Sequence, residues 1–147
     1  DKFMSVVQKS ALVPHSSAEM FVLVDDVSSY VEFLPWCGGS EVLEGDGSDE
    51  KVAKVDISFK GIRQSFTTRN KLTSARSIDM ELVDGPFNHL VGRWEFEELS
   101  EEACKISLFV EFTFSNRVAE MAIGPLFKQI TGSMVDAFVL RAKDIYG

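Results

Sequence analysis

Cysteine, histidine and proline are scarce in this 147-residue chain: two, two and four residues respectively. Cys37 and Cys104 lie far apart with no metal-type spacing, so reduced thiols are expected rather than a disulfide framework. His15 and His89 have no cysteine or carboxylate pair at ligand spacing nearby, which argues against a metal site. No stretch approaches the roughly 18 consecutive apolar residues of a membrane-spanning helix. The opening "DKFMSVVQKS" lacks the basic-then-apolar order of a signal peptide, and the start at Asp1 rather than Met leaves room for residues upstream. Positive charge is in deficit. With 15 Lys and Arg against 23 Asp and Glu, the net charge of −8 argues against a broad nucleic-acid-binding face. A phosphate-cradling loop is also missing, because Gly38-Gly39 is too short to make one.

Apolar residues make up 45% of the chain and the mean hydropathy is +0.03, so a single domain over residues 1–147 with a substantial core is expected. "MSVVQKSALVP" reads as a first strand ending at Pro14. Ser16 or Ser17 can cap a helix whose apolar positions Met20, Phe21, Val24 and Val27 recur at helical spacing. Ser28 or Ser29 can cap a second, short helix carrying Tyr30, Val31, Phe33 and Leu34 and ending before Pro35.

The middle of the chain alternates with period two. Ala53, Val55, Ile57 and Phe59 share one face. Ile62, Phe66 and Leu72 follow on a face with Gln64, Thr68 and Asn70, with Arg63, Arg69 and Lys71 opposite. Ile78, Met80 and Leu82 precede a turn at Asp84-Gly85-Pro86. Leu90, Trp94 and Phe96 lie opposite Arg93, Glu95 and Glu97. The clearest strand has Cys104, Ile106, Leu108, Val110, Phe112 and Phe114 on one side. Asn116 can then cap a helix from about Arg117 to Ile145, about 40 Å long, with Met121, Ala122, Leu126, Ile130, Met134, Phe138 and Ile145 as its apolar side. Consecutive strands with one apolar face need a cover, and only this helix is long enough. The fold class expected is α+β: a curved antiparallel sheet wrapped around a long C-terminal helix, with two short helices after the first strand.

That order is the helix-grip arrangement of START-like domains. At "ALVPHSSAEMFVLVDDVSSYVEFLPWC", "FTTRNKL", "LVDGPF" and "SMVDAFVLRAKDIYG" the chain resembles the coenzyme Q-binding protein family and its bacterial RatA branch, within the polyketide cyclase and lipid transport superfamily. The family's Phe-Leu-Pro-Trp-Cys run appears as Phe33 to Cys37, and its Asp-Gly-Pro-Phe turn as Asp84 to Phe87. The resemblance implies a cavity between sheet and helix for a hydrophobic molecule, with ubiquinone or a similar isoprenoid lipid as ligand and no required cofactor. It implies a quinone carrier supporting respiration or, alternatively, a ribosome-associated toxin that binds the large ribosomal subunit and blocks subunit association. An aromatase or cyclase is the weaker implication, since it rests on fold analogy. A cytoplasmic location is expected, with peripheral contact at the inner membrane.

The residues expected at the cavity and its mouth are Phe33, Pro35, Trp36, Phe66, Met80, Phe87, Trp94, Met121, Leu126, Phe127, Ile130 and Met134. Gly124-Pro125 and Gly132 stand out within the long helix, because an internal proline costs about 3 kcal/mol. Either a kink there leaves space for a ligand, or it fits the helix to a curved sheet. Trp36 either grips a ligand from a mobile loop or anchors the second helix. Phe87, at a hairpin tip, is expected to be exposed, as a gate or a contact site. Arg63, Arg69, Lys71 and Arg76 form a stripe for rRNA, a ribosomal protein or anionic lipid, unless Asp79 and Glu81 screen it. Arg93, Glu95 and Glu97 read as solvated surface. Ser40, Ser65 and Asp136 have no motif around them that would make a catalytic triad, and an enzyme is not expected.

Overall fold

Strict alternation in the middle of the chain yields one continuous sheet. The computed structural model describes residues 4–147. Its strands are β1 (Ser5–Val13), β2 (Cys37–Glu44), β3 (Glu50–Phe59), β4 (Ile62–Thr73), β5 (Ser77–Asp84), β6 (Phe87–Ser100) and β7 (Ala103–Phe114). The helices are α1 (Ser17–Asp25), α2 (Tyr30–Phe33) and α3 (Arg117–Tyr146), with a 3₁₀ turn at Val27–Ser29 between the first two. All seven strands pair antiparallel in the order β1-β7-β6-β5-β4-β3-β2, so the first strand joins the last and both β1 and β2 are edges.

The ends of the elements reflect local chemistry. Ser16 and Glu19 make a reciprocal capping box at the start of α1. Asn116 caps α3 by accepting from the Ala119 amide at 2.8 Å. Between β3 and β4, Lys60 and Gly61 both have positive φ, 49° and 82°, as a two-residue hairpin turn requires. The short helix α2 has no side-chain cap; the Ser29 hydroxyl donates instead to Asp26.

The registers place Leu90, Trp94 and Phe96 beside Phe112, Leu108 and Ile106 on the concave face. α3 covers that face, with Phe138 edge-on to Trp94 and Phe127 edge-on to Phe112. Its buried side is Ile123, Phe127, Ile130, Thr131, Val135, Phe138 and Ala142. This corrects the phase expected for the helix: Met121 is 72% exposed, and Ala122 and Ile145 also face solvent. Two apolar series run along these turns at helical spacing. The one carrying Phe127 packs inward because four phenylalanines of the sheet meet it there.

α3 runs unbroken through Pro125. The carbonyl deprived of its donor belongs to Met121, on the solvent side of the helix, where water can replace the missing bond. Gly124 does not open space beneath the helix. A Cβ there would meet the Phe114 ring at an ordinary contact distance of 3.5 Å, so that ring already fills the space beneath the glycine.

"CGGSEVLE", directly after the short helices, is the edge strand β2. A Cβ on Gly38 would come within 2.7 Å of the Ser58 Cβ, so its glycine permits close approach to β3.

Candidate functional site: an apolar cavity under the long helix

Between α3 and the sheet lies a cavity of about 100 Å³. The helix contributes Phe127, Ile130, Thr131 and Met134. The sheet contributes Ala53 and Val55 from β3, Phe66, Thr68 and Asn70 from β4, and Met80 from β5. Leu90, Gly92 and Trp94 of β6, with Leu108 and Val110 of β7, complete its floor. Val27, Tyr30 and Trp36 close the end nearest the short helices.

One position of the cavity floor has no side chain. Gly92 pairs with Met80 on one side and Val110 on the other. A Cβ on Gly92 would lie 2.7 Å from the Met80 terminal methyl, so that flexible thioether already leans into the space a larger residue would take. An engineered apolar cavity of about 150 Å³ accepts benzene. In this conformation the space therefore suits at most one small ring, well below the roughly 300–1,000 Å³ of drug-sized sites.

Its polar groups are few. The Tyr30 hydroxyl donates to the Val24 carbonyl at 2.5 Å. Burial, aided by Asp25 and Asp26, pushes its phenol far above the ordinary value, so it stays un-ionised. Thr131 donates back to the Phe127 carbonyl at 2.9 Å, and Thr68 donates to the Asn70 side-chain oxygen at 2.7 Å. Tyr30 is the single titratable residue among those lining the cavity.

Of the residues expected at the site, Trp36, Phe66, Met80, Trp94, Phe127, Ile130 and Met134 line this cavity. The others lie elsewhere. Phe33 packs against Tyr30 and Phe138 beneath the Arg141 guanidinium, tying α2 to α3. Pro35 is exposed beside it, and Leu126 is half-buried outside the lining. Met121 faces solvent.

Phe87 is no exposed gate: it is 6% exposed, stacked on Phe114 and 4.9 Å from Phe127 between ring centroids. The register shifts between Phe87 and His89, and that bulge turns Phe87 to the same side as Leu90. Nor does Trp36 ride a mobile loop. It is buried, and its carbonyl accepts the Ser58 amide at 2.8 Å, which pins it to β3.

The basic stripe on the outer face is interleaved with acid. Arg69 pairs with Glu50 at 3.4 Å, and Lys71 lies between Glu50 and Asp79 in the register. Arg63 and Arg76 are exposed. Arg93 is held between Asp79 at 2.6 Å and Glu95 at 3.7 Å, and Asp79 is the main cause of its raised guanidinium pKa. Ser40 and Ser65 point to opposite faces of the sheet, as their partners Val55 and Asp56 do, and Asp136 is exposed on α3. These three do not assemble. Tyr30, Thr68, Asn70, Gly92 and Thr131 were not legible as site residues. The usable signal was Thr68 and Asn70, polar at inward positions of an alternating strand.

A curved antiparallel sheet gripping one long helix over an apolar cavity defines a START-like, helix-grip domain. The chain belongs to the polyketide cyclase / dehydrase and lipid transport family, whose model matches residues 13–139, and within it to the RatA/coenzyme Q-binding group. It is 49% identical over 143 residues to the ribosome association toxin RatA of Escherichia coli K12, covering 97% of this chain and 90% of that one. It is 27% identical over 140 residues to the mitochondrial coenzyme Q-binding protein coq10 of Schizosaccharomyces pombe, covering 91% and 84%. Among solved structures, the Zhui aromatase/cyclase from Streptomyces sp. R1128 superposes with a TM-score of 0.83 at 19% identity, covering 95% and 94%. At that identity the likeness concerns the fold alone.

Proposed function

We propose that this chain binds the ring of a hydrophobic ligand between α3 and the sheet and performs no chemistry on it. The cavity carries this reading: it is ring-sized, walled by aromatic and methionine side chains, and offers no group ionised near neutral pH. Acid–base catalysis needs a group whose pKa lies near the working pH, and the raised Tyr30 phenol is not one. Ubiquinone is the ligand this reading names, supported by the relative called coenzyme Q-binding protein. At about 100 Å³ the cavity is smaller than the substituted quinone ring, so the head group enters as Met80 and Met134 swing away and the isoprenoid tail stays outside.

Native mass spectrometry of protein purified from its own cells, followed by solvent extraction, tests this. A quinone or related isoprenoid near one-to-one is expected. Protein that arrives empty and takes up no ubiquinone when offered it overturns the reading.

Association with the large ribosomal subunit is the second reading, favoured by near-half identity along almost the whole length of a ribosome association toxin. Co-sedimentation with purified large subunits, with and without ligand, is the corresponding assay. Binding lost on loading the cavity would join the two readings in one switch; no binding in either state removes the second.

A further inference from the structure

Asn70 is 6% exposed and sits on the concave face of β4, in the lining of a mostly apolar cavity. Its side-chain oxygen accepts from the Thr68 hydroxyl at 2.7 Å, which fixes the rotation of the amide. Its amide nitrogen has no protein acceptor among the described residues, yet it is not sealed off from space as the unpartnered Ser40 Oγ is. Asn70 lines the cavity, so the cavity is the space from which that donor can gain a partner. A buried amide left without a partner is costly, so such a group invites an acceptor from outside the chain.

Charge narrows the choice of acceptor. The cation nearest in register is Lys51, which pairs with Asn70 across β3 and β4. Its ammonium is already held by the Asp25 carboxylate at 2.8 Å and the Asp25 carbonyl at 3.2 Å. No cationic side chain lines the cavity. A carboxylate buried there would lose its hydration without gaining a counter-charge.

We propose that Thr68 and Asn70 form the cavity's polar anchor, in which the Asn70 amide donates to a carbonyl or ether oxygen on a neutral, ring-bearing ligand. This rests on the ligand-binding reading above and adds selectivity to it: neutral aryl ketones and quinones are accepted, while carboxylates such as fatty acids are refused. Thr68 is a positioning residue, because it holds the amide with its hydrogens turned inward. Trp94, also in the lining, carries an indole N–H with no protein acceptor among the described residues, so it is the necessary comparison.

Three single-ring probes separate these effects: acetophenone, cumene and benzoate, titrated by NMR into wild type, Asn70→Leu, Thr68→Val and Trp94→Phe. In wild type, benzoate should bind weakest. Asn70→Leu should weaken acetophenone about tenfold or more and leave cumene unchanged or tighter, because only the ketone loses a partner. Thr68→Val should weaken acetophenone alone, by a smaller factor, and it decides the matter if Asn70→Leu does not fold. Equal losses for acetophenone and cumene overturn the anchor, as does a selective loss in Trp94→Phe instead. Benzoate binding as well as acetophenone overturns the exclusion of anions. If no ring probe binds wild type, the ligand-binding reading falls as well.

Discussion

Replacing Gly92 by alanine is the smallest change that should separate ligand binding from folding. The new methyl would sit 2.7 Å from the Met80 terminal carbon, closer than real side chains approach, but 3.5 Å from the Phe109 carbonyl and 3.8 Å from Val110, which are ordinary contacts. Only Met80 has to yield, by roughly 1 Å to reach normal van der Waals separation. Its thioether can do so at low cost, and the free volume available to it is the cavity. Replacing glycine within a strand gains about 0.5–1 kcal/mol, which offsets the repacking. Stability should therefore change by less than about 1 kcal/mol, a shift of a few degrees in Tm for a chain of this size. The new methyl takes the place of the Met80 terminal carbon, and the cavity, at about 100 Å³, receives the displaced end of that side chain. A mismatch of one methylene in an apolar pocket is worth about 1–3 kcal/mol, or 10- to 200-fold in affinity. Quenching of tryptophan fluorescence by a short-chain ubiquinone measures this directly, because Trp36 and Trp94 both line the cavity. Gly92→Val should abolish binding. An alanine variant that unfolds at the wild-type temperature and binds with wild-type affinity would refute the placement of the ligand.

Phe127 is 2% exposed and touches the rings of Phe66, Phe87, Phe112 and Phe114, so Phe127→Ala should cost about 3–5 kcal/mol in urea unfolding. Half-buried Met134 lines the same cavity, and Met134→Ala should weaken ligand binding with a smaller loss of stability. Asn116→Ala removes the cap of α3 and should cost about 1 kcal/mol, with Asn116→Ser restoring most of it. Burial pushes the Cys104 thiol up to about 11 from its ordinary 9.0, so native protein at pH 8 should resist alkylation there and react once denatured. For the same reason stability should decline as pH rises from about 9 through 11, since the unfolded chain releases that proton first; Cys104→Ala should show a shallower fall in Tm than wild type, the remainder coming from Cys37 and Tyr30, whose buried protons are also held more tightly in the folded chain.

The parts of the fold legible in the sequence are those where one residue type decides. The even-numbered apolar residues of Cys104 to Phe114 can face only one way in a strand, and Asn116 stands where a cap is needed, directly before the long helical pattern. The phase of α3 was not legible, because Met121 and Ile123 both begin apolar series at helical spacing. The choice between them is made by phenylalanines on other strands. Phe87, expected at the surface because it follows a turn, is turned inward by a one-residue bulge, and bulges leave no period. β2 was hidden behind two glycines whose purpose, close approach to β3, appears only once the strands are paired. At the site, residue type alone did not separate the lining from its surroundings: Phe66, Phe127 and Met134 line the cavity, whereas Phe33, Phe87 and Met121 do not. The anchor pair was not legible either, since a buried asparagine is informative only when its partners can be counted.

The order of pairing also has a consequence for when the binding site comes into being. From β2 to β7 each strand pairs with its neighbour in sequence, so hairpins can form as the chain lengthens. β1 must wait for β7, about ninety residues later, and the concave face stays bare until α3 has been made. A chain growing from the ribosome thus displays its most adhesive surface throughout synthesis and encloses it only at the end. Throughout that interval the surface is open to an apolar ligand or a chaperone, before there is any cavity to enter.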